Sequence, residues 1–271
     1  MNRTAHLSSP QPDAALRRAV LGLCGADHAE WHPLEGGRSN QVWRCGTVVV
    51  KQYRPEAATP LFPNDPALEA AALCAFSPLG LAPALLARGD GWIAWRHVSG
   101  RIWQGEPGVA ALLQHLSLAQ GFPGLAVRPM GARAIAAQAR SFAPSGLPPL
   151  PELAEVALPK PSVLHGDLVP GNILSTERGL CLIDWQCPAM GDPVDDLALF
   201  LSPAMQWLYR GKVLEADARQ GLLAQLPAPL ADRYRHLAPV LHWRIAAHCA
   251  LRAGRGDAGY DTALRLELAS L

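Results

Sequence analysis

Residues 163–185 bring together polar side chains whose types and spacing suit phosphoryl transfer. One apolar run ends at His165 and Asp167, Asn172 lies five positions after that aspartate, and a second apolar run ends at Asp184. Phosphoryl transfer from Mg-ATP needs a carboxylate that orients the accepting hydroxyl, and oxygen ligands that hold Mg²⁺ against the phosphates. Amide and carboxylate oxygens are hard ligands of the kind that Mg²⁺ prefers. The stretch therefore predicts a site for this chemistry.

The same pattern resembles the catalytic loop and magnesium-binding aspartate of the protein-kinase-like superfamily. It is most similar to the aminoglycoside phosphotransferase and choline kinase family of small-molecule kinases. The resemblance implies that Asp167 is the catalytic base and that His165 braces the loop. It further implies that Asn172 and Asp184 bind Mg²⁺. Each residue taken singly also fits an ordinary turn or a helix cap.

The resemblance also implies a fold. We expect an α+β, bilobal protein-kinase-like fold with a small β-rich N-terminal lobe, a larger α-helical C-terminal lobe and an ATP cleft between them. Residues 1–98 would form the nucleotide-binding lobe, and residues 99–271 the helical lobe that carries catalysis and acceptor binding. Residues 143–161, just before the catalytic loop, contain a series of prolines, which predicts a stiff connector.

Two departures from the protein-kinase pattern favour a small-molecule acceptor over a protein. Protein kinases carry a lysine two residues after the catalytic aspartate, where this chain has Val169. Trp185 and Gln186 follow Asp184 in place of Phe-Gly, and the segment up to Asp196 is too short for a regulatory activation loop. Choline-type members carry a glutamate at the position of Gln186, which argues against choline as the acceptor.

Composition excludes several partners. Twenty-four Lys and Arg residues balance 23 Asp and Glu residues, so the net charge of +1 predicts no nucleic-acid partner and no anionic membrane partner. The six cysteines include no Cys-x-x-Cys pair and are expected to be buried free thiols. The first twelve residues are polar, and no apolar run approaches the roughly 20 residues of a membrane span. We therefore expect a cytoplasmic enzyme, of unspecified oligomeric state.

Residues 33–51 predict three strands joined by a Gly36-Gly37 turn and a second turn at Gly46. Small residues at Gly36, Gly37 and Ser39 would let backbone N–H groups approach phosphate oxygens. The Asn40 side chain could hold the first turn in place. Read alone, a Gly-Gly hairpin is more often only a turn.

Lys51 closes a run of three valines and should project from the sheet. Asp65 and Pro66 form a cap and a first helical position, which predicts a helix over residues 66–76 that contains Glu69. By the resemblance, Lys51 contacts the α- and β-phosphates and Glu69 is its salt-bridge partner. Without it, the lysine could point to solvent and the glutamate could simply favour the positive helix end.

Residues 92–98 predict a strand that the resemblance identifies as the adenine-binding hinge. Arg96, His97 and Val98 would then bind adenine through main-chain atoms. No partner histidine at ligand spacing supports His97 as a metal ligand.

The C-terminal half is predicted to be mostly helical, with a helix beginning near Asp192. By the resemblance, Asp196 ties the catalytic loop through its backbone, whereas Asp192 and Asp195 are expected to be caps or solvated charges. Large side chains that follow the loop could line the acceptor pocket, although aromatic residues at helical spacing more often belong to the core. The candidates are Trp185, Trp207 and Trp243, with Tyr209, His242 and Arg244 beside them.

These observations predict an ATP- and Mg²⁺-dependent kinase that phosphorylates a hydroxyl of a small molecule. Its acceptor could be an amino alcohol, a thiamine-like vitamin, an aminoglycoside or a sugar. One alternative is a catalytically silent nucleotide-binding or scaffold protein of the same fold. Another is a metal-dependent hydrolase that uses His165, Asp167 and Asp184 as ligands, which would leave Lys51 and Glu69 without a role.

Overall fold

The computed structural model describes residues 11–24, 30–34 and 39–271. Its N-terminal part is built on a five-stranded antiparallel sheet with the strand order β1-β2-β3-β5-β4. The strands are β1 (Trp31–Pro33), β2 (Gln41–Cys45), β3 (Val48–Gln52), β4 (Leu85–Gly89) and β5 (Trp92–Arg96). The predicted Gly36-Gly37 turn lies outside the described residues, whereas the predicted turn at Gly46 is present, with a φ of 59°.

Side-chain alternation along β3 separates the two faces of this sheet. Val48 and Val50 pack with Trp43 against the first helix, α1 (Ala14–Cys24), on the outer face. Val49 belongs to the main core on the inner face, and Lys51 therefore projects from that same face toward the rest of the molecule. The strand pattern thus directs the lysine inward, to the cleft.

The second helix, α2 (Pro66–Phe76), begins as predicted. The Asp65 carboxylate accepts hydrogen bonds from the backbone N–H groups of Ala67 and Leu68 at 2.8 and 3.0 Å, and Pro66 occupies the first helical position. The helix packs its Leu73 and Phe76 side chains into the main core. This placement turns Glu69, one helical turn earlier, toward β3.

The C-terminal part is mostly helical, as predicted. Two small antiparallel sheets flank the catalytic loop: β6 (Arg101–Ile102), β8 (Ile173–Thr176) and β9 (Gly179–Leu182) form one, and β7 (Ser162–Leu164) pairs with β10 (Ala189–Gly191) in the other. The helices are α3 (Val109–Leu118), α4 (Ala132–Phe142), α5 (Val194–Leu201), α6 (Pro203–Arg210), α7 (Ala216–Gln225), α8 (Ala228–Gly254) and α9 (Tyr260–Leu268). Residues 143–161 carry neither helix nor strand. The whole is an α+β architecture.

At the start of α5 the Asp192 carboxylate caps the helix, since its Oδ1 accepts a hydrogen bond from the Val194 N–H at 3.3 Å, but the alternative of solvated charges is wrong. Asp192 and Asp195 are both 1% exposed and therefore not solvated charges. Asp192 forms a salt bridge with Arg233 at 2.6 Å, and Asp195 one with Arg244 at 3.0 Å. Both arginines lie on α8, whose approach in space brings these charges together across about 40 to 50 residues of sequence. Burial of a carboxylate requires such a partner.

Residues 59–63, which we call the interlobe segment, connect the two parts on one side. The Leu61 side chain is 2% exposed and packs with Phe142 of α4 and Trp243 of α8. The Phe62 ring meets the His248 ring edge-on, with centroids 4.7 Å apart. The Leu61 side chain of the N-terminal part is therefore buried against the helical part.

Two expectations concern the whole chain. Among the described residues, no helix is both long and apolar enough to cross a lipid bilayer. The six cysteines are free thiols, as predicted, but Cys74 is exposed on α2 and Cys24 only partly buried.

Candidate active site

The catalytic loop is held by one carboxylate behind it. Asp196, near the start of α5, accepts hydrogen bonds from the backbone N–H groups of His165 at 2.7 Å and Gly166 at 2.9 Å. Burial raises the pKa of Asp196 to about 6, while Arg128 and the two N–H groups favour its ionised form. These hydrogen bonds join the start of α5 to the backbone of residues 165 and 166.

His165 is a neutral brace. Its Nδ1 accepts a hydrogen bond from the backbone N–H of Asp167 at 3.3 Å, which places the proton on Nε2, 3.0 Å from the Ile183 carbonyl oxygen. Burial lowers the pKa of His165 to about 4, so the ring is uncharged at neutral pH. It thereby links the catalytic loop to the strand that leads to Asp184.

Gly166 permits a backbone conformation that other residues resist. Its φ is +79°, and a Cβ atom at this position would lie 1.9 Å from the carbonyl oxygen of Cys187. Side chains rarely adopt this φ, and the oxygen belongs to backbone that cannot rotate away. The glycine thus lets the loop lie directly against the chain that follows Asp184.

Asp167 lines the cleft and is 7% exposed. The Asn172 amide nitrogen donates to the Asp167 main-chain oxygen at 2.8 Å and to its Oδ2 at 3.2 Å. Burial and the neighbouring negative charge of Asp184 raise the pKa of Asp167 to about 7. A carboxylate with this pKa is suited to act as a base at neutral pH.

Asp184 follows β9 in a left-handed backbone conformation, with φ of 64°. Its carboxylate pairs with the Lys51 ammonium, and its side chain is 29% exposed. Asn172 and Asp184 both line the cleft. Because the Asn172 nitrogen is directed at Asp167, its oxygen remains as the ligating atom. One amide oxygen and one carboxylate form a hard-oxygen pair that fits Mg²⁺ completed by phosphate oxygens.

Lys51 and Glu69 form a buried ion pair, each 1% exposed, with 2.6 Å between Nζ and Oε2. The Tyr53 hydroxyl donates to the same carboxylate oxygen. Burial alone would lower the pKa of Lys51, but the negative charges of Asp184 and Glu69 outweigh it and raise that pKa. The ammonium is therefore charged and held on the inner face of the sheet.

A network of side-chain amides joins Asn40, Asn64 and Gln186. The Asn40 amide nitrogen donates to the side-chain oxygens of Asn64 and Gln186, at 2.8 Å each. The Asn64 amide nitrogen returns a bond to the Asn40 oxygen at 2.9 Å, and Lys51 donates to Gln186 at 3.1 Å. Asn40 thus links two residues that lie 24 and 146 positions away from it in the sequence.

These side chains converge on a cleft of about 350 Å³ between the sheet and the helical part. Ser39, His97 and Val98 also line it, as does Tyr209 of α6. Arg96 is not among the lining residues, and its backbone N–H donates to the Ala84 carbonyl at 2.9 Å. The other residues that line the cleft are Leu34, Val42, Val49, Trp95, Gly100, Ile102, Gly171, Leu174 and Ile183.

The three tryptophans predicted for the acceptor pocket do not form a shared wall. Trp185 has no exposed surface, and its ring lies between Phe76 and His165, 4.6 Å from each centroid. Trp243 packs in the cluster with Leu61, and its indole nitrogen donates to a main-chain oxygen. Only Trp207 is partly exposed. The prediction gave these rings a binding role, whereas Trp185 and Trp243 belong to the core.

Three contributors to the site were missed by sequence reasoning. Tyr53 carried a signal, since it lies two residues after Lys51 and continues the inner face of the strand. Gln186 was noticed only as a departure from a choline kinase pattern. The Arg128 guanidinium donates to the Gly166 carbonyl at 2.9 Å, but the sequence around Arg128 contains no motif that predicts this contact.

A sequence model described as the phosphotransferase enzyme family matches residues 30–237. No curated protein sequence matches the chain significantly. Among solved structures, choline kinase LicA from Streptococcus pneumoniae is 16% identical over 95% of this chain and 98% of its own, with a TM-score of 0.65. LicA in complex with AMP is 17% identical, covering 94% and 97%, with a TM-score of 0.62.

The GDP complex of aminoglycoside 2′-phosphotransferase-IIIa is also similar. It is 16% identical over 96% of this chain and 99% of its own, with a TM-score of 0.64. At these identities the likeness concerns the fold, which is the predicted protein-kinase-like fold. The N-terminal sheet and the C-terminal helices, which lie on opposite sides of the cleft, are the two lobes of this fold.

Proposed function

The chain belongs to the phosphotransferase enzyme family, and from this premise we propose that it transfers the γ-phosphate of ATP to a hydroxyl group of a small molecule. The observation that carries the proposal is the convergence of Lys51, Asp167, Asn172 and Asp184 on one cleft of about 350 Å³. Solved relatives that hold AMP and GDP support a nucleotide in the corresponding cleft.

In the proposed reaction, the acceptor oxygen forms a bond to the γ-phosphorus as the bond between that phosphorus and the ADP oxygen breaks. Asp167 accepts the proton of the acceptor hydroxyl, and the products are a phosphate ester and ADP. Lys51, held by Glu69, neutralises charge on the α- and β-phosphates. Such fixed charges stabilise the transition state without needing to reorganise.

Asn172 and Asp184 are the residues that would hold Mg²⁺. When bound, the ion would supply charge neutralisation and orientation of the phosphates. In the structure the Lys51 ammonium pairs with the Asp184 carboxylate. Main-chain contacts of Ser39 and Val98 would complete nucleotide binding, as would those of Gly36 and Gly37.

The hydrolase alternative is less well supported. It requires His165 as a metal ligand, yet both ring nitrogens of His165 are already hydrogen bonded to backbone. Within the described ranges, no group of three or more His, Cys, Asp or Glu side chains is arranged to hold a metal ion. The kinase proposal needs only two protein ligands, because phosphate oxygens provide others.

The proposal is tested by ADP release from Mg-ATP or Mg-GTP. The purified protein is assayed with amino alcohols, thiamine, aminoglycosides, sugars and hydroxy acids, one class at a time. We expect at least one class to raise ADP or GDP release at least about tenfold above the rate with water as acceptor. Failure to bind either Mg-nucleotide would disprove the proposal, and binding without stimulation by any class would favour the silent nucleotide-binding alternative.

The raised pKa of Asp167 predicts how activity depends on pH. Only the ionised carboxylate can accept the hydroxyl proton, and its pKa is about 7. We therefore expect kcat/KM to fall about tenfold per pH unit below that value and to level off above it. A set of buffers at constant ionic strength measures this profile. Activity that stays constant between pH 5 and 7 would contradict Asp167 as the base.

A further inference from the structure

Gln186 lines the nucleotide cleft with one amide group, of which only one end is used by the protein. The residue follows Asp184 by two positions and is 3% exposed. Its Oε1 accepts a hydrogen bond from the Lys51 ammonium at 3.1 Å and another from the Asn40 amide nitrogen at 2.8 Å. These bonds account for the oxygen and leave Nε2 to be explained.

Two independent donors fix the orientation of this amide. An ammonium group carries only donors, so the atom of Gln186 that faces Lys51 must be the oxygen. The Asn40 amide is itself oriented, because its Oδ1 accepts a hydrogen bond from the Arg54 backbone N–H at 2.9 Å. Its nitrogen therefore faces Gln186 and requires an oxygen there as well. A rotation of the Gln186 amide by half a turn would set donors against donors, so Nε2 is held in its position.

The Nε2 atom of Gln186 presents N–H donors without a protein acceptor. None of the residues that the structure describes accepts a hydrogen bond from it, and unlike the enclosed Nη1 of Arg128 it retains accessible surface. A donor in so closed a site is costly to leave unpaired. Because the cleft is the space that Gln186 lines, an oxygen atom of a molecule bound there would complete the amide.

The charges around the amide favour a phosphate oxygen as this partner. Nε2 belongs to the same amide group as the oxygen that contacts Lys51, so it lies beside the ammonium that the proposed function assigns to the phosphates. The same ammonium pairs with Asp184, a proposed ligand of Mg²⁺. A fixed donor next to a fixed cation suits an anionic oxygen, and hydrogen bonds to charged groups are stronger than those between neutral groups.

Resting on the proposed kinase function, we propose that Gln186 binds the phosphate chain of the nucleotide through Nε2 while its Oε1 holds Lys51. The side chain is then a phosphate-binding residue, in addition to a link between Asn40 and Lys51. Its contribution depends on the phosphates, so a nucleoside that lacks them should gain nothing from it.

Gln186→Glu tests this proposal most directly, because it keeps an oxygen toward Lys51 and Asn40 and replaces the donor by a second oxygen. The Kd for Mg-ATP or Mg-GTP, whichever the wild-type protein binds more tightly, should rise about 30-fold. The Kd for the corresponding nucleoside should change less than about twofold. Gln186→Met removes the donor without adding charge and should raise the nucleotide Kd about tenfold. Calorimetric titration measures these constants without turnover.

Gln220→Glu is the matched control, because Gln220 is exposed on α7 and the same change of charge there should leave both constants unaltered. An unchanged nucleotide Kd in the Gln186 variants would overturn the inference. A loss confined to Gln186→Glu would also overturn it, since charge repulsion alone would explain that result. An equal loss for nucleoside and nucleotide would overturn it as well, because it would mean a distorted cleft.

A raised KM for the acceptor with an unchanged nucleotide Kd would place the donor at the acceptor and would likewise overturn the inference. The kinase proposal itself fails only in the separate case that the wild-type protein does not bind Mg-nucleotide. Equal thermal unfolding temperatures of the variants would separate binding from folding, and Gln186→Met serves if Gln186→Glu does not fold.

Discussion

Replacement of Asp167 by asparagine is expected to lower kcat by about 10²- to 10⁴-fold. Asparagine keeps the size of the side chain and can still contact Asn172, but it cannot accept the hydroxyl proton. Because Lys51 and Asp184 are untouched, the dissociation constant for Mg-ATP should change less than about threefold. Single-turnover ADP formation and nucleotide titration measure the two quantities separately.

Asp232→Asn is the matched control for this variant. Asp232 is an exposed carboxylate on α8 that pairs with Arg235 on the surface. The same change of charge should therefore leave kcat unaltered. If Asp167→Asn retained more than about a tenth of the wild-type kcat, Asp167 would not be the base. The proton would then have to leave by another route.

Gly166→Ala should have a large effect on both stability and activity. The added Cβ would lie 1.9 Å from the Cys187 carbonyl oxygen, at a φ of +79° that alanine disfavours. Backbone strain and overpacking together predict a loss of about 3 kcal/mol in the free energy of unfolding. The displaced loop would also misplace Asp167, so kcat/KM should fall about 100-fold. Urea unfolding and ADP release measure both effects.

Gly80→Ala separates the two causes. Gly80 has a similar φ of +73° after α2, but a Cβ there would meet no atom within 4 Å. It should therefore lose only the strain contribution, about 1 kcal/mol, and retain full kcat/KM. An equal loss of stability in the two variants would show that the contact with Cys187 is unimportant.

The parts of the site that could be predicted from sequence are those fixed by local rules. The alternation of side chains between the two faces of β3 carried Lys51 to the inner face, and an aspartate cap with a proline placed Glu69 on the first turns of α2. The catalytic loop likewise lies between two short apolar strands. In each case the deciding interactions are between residues near in sequence or in a recurrent motif.

The parts that could not be predicted depend on contacts between distant residues. Asn40 meets Gln186 across 146 positions, and neither amide carries a sign of that partner. Asp195 lies in the first turn of a helix, where an acidic side chain is usually solvated, yet the salt bridge with Arg244 of α8 allows its burial. The left-handed backbone of Asp184 is likewise set by its surroundings. Tertiary packing decides such positions, and local pattern does not.

The burial of the interlobe segment also bears on how the molecule unfolds. The main core includes Val49 and Phe76 from the N-terminal lobe as well as Leu168 and Leu197 from the C-terminal lobe. Leu61 packs against helices of the C-terminal lobe. Division of the chain at residue 98 would expose apolar surface on both fragments, so we expect that neither lobe folds independently. Unfolding should be one cooperative transition, and limited proteolysis should not release either lobe intact.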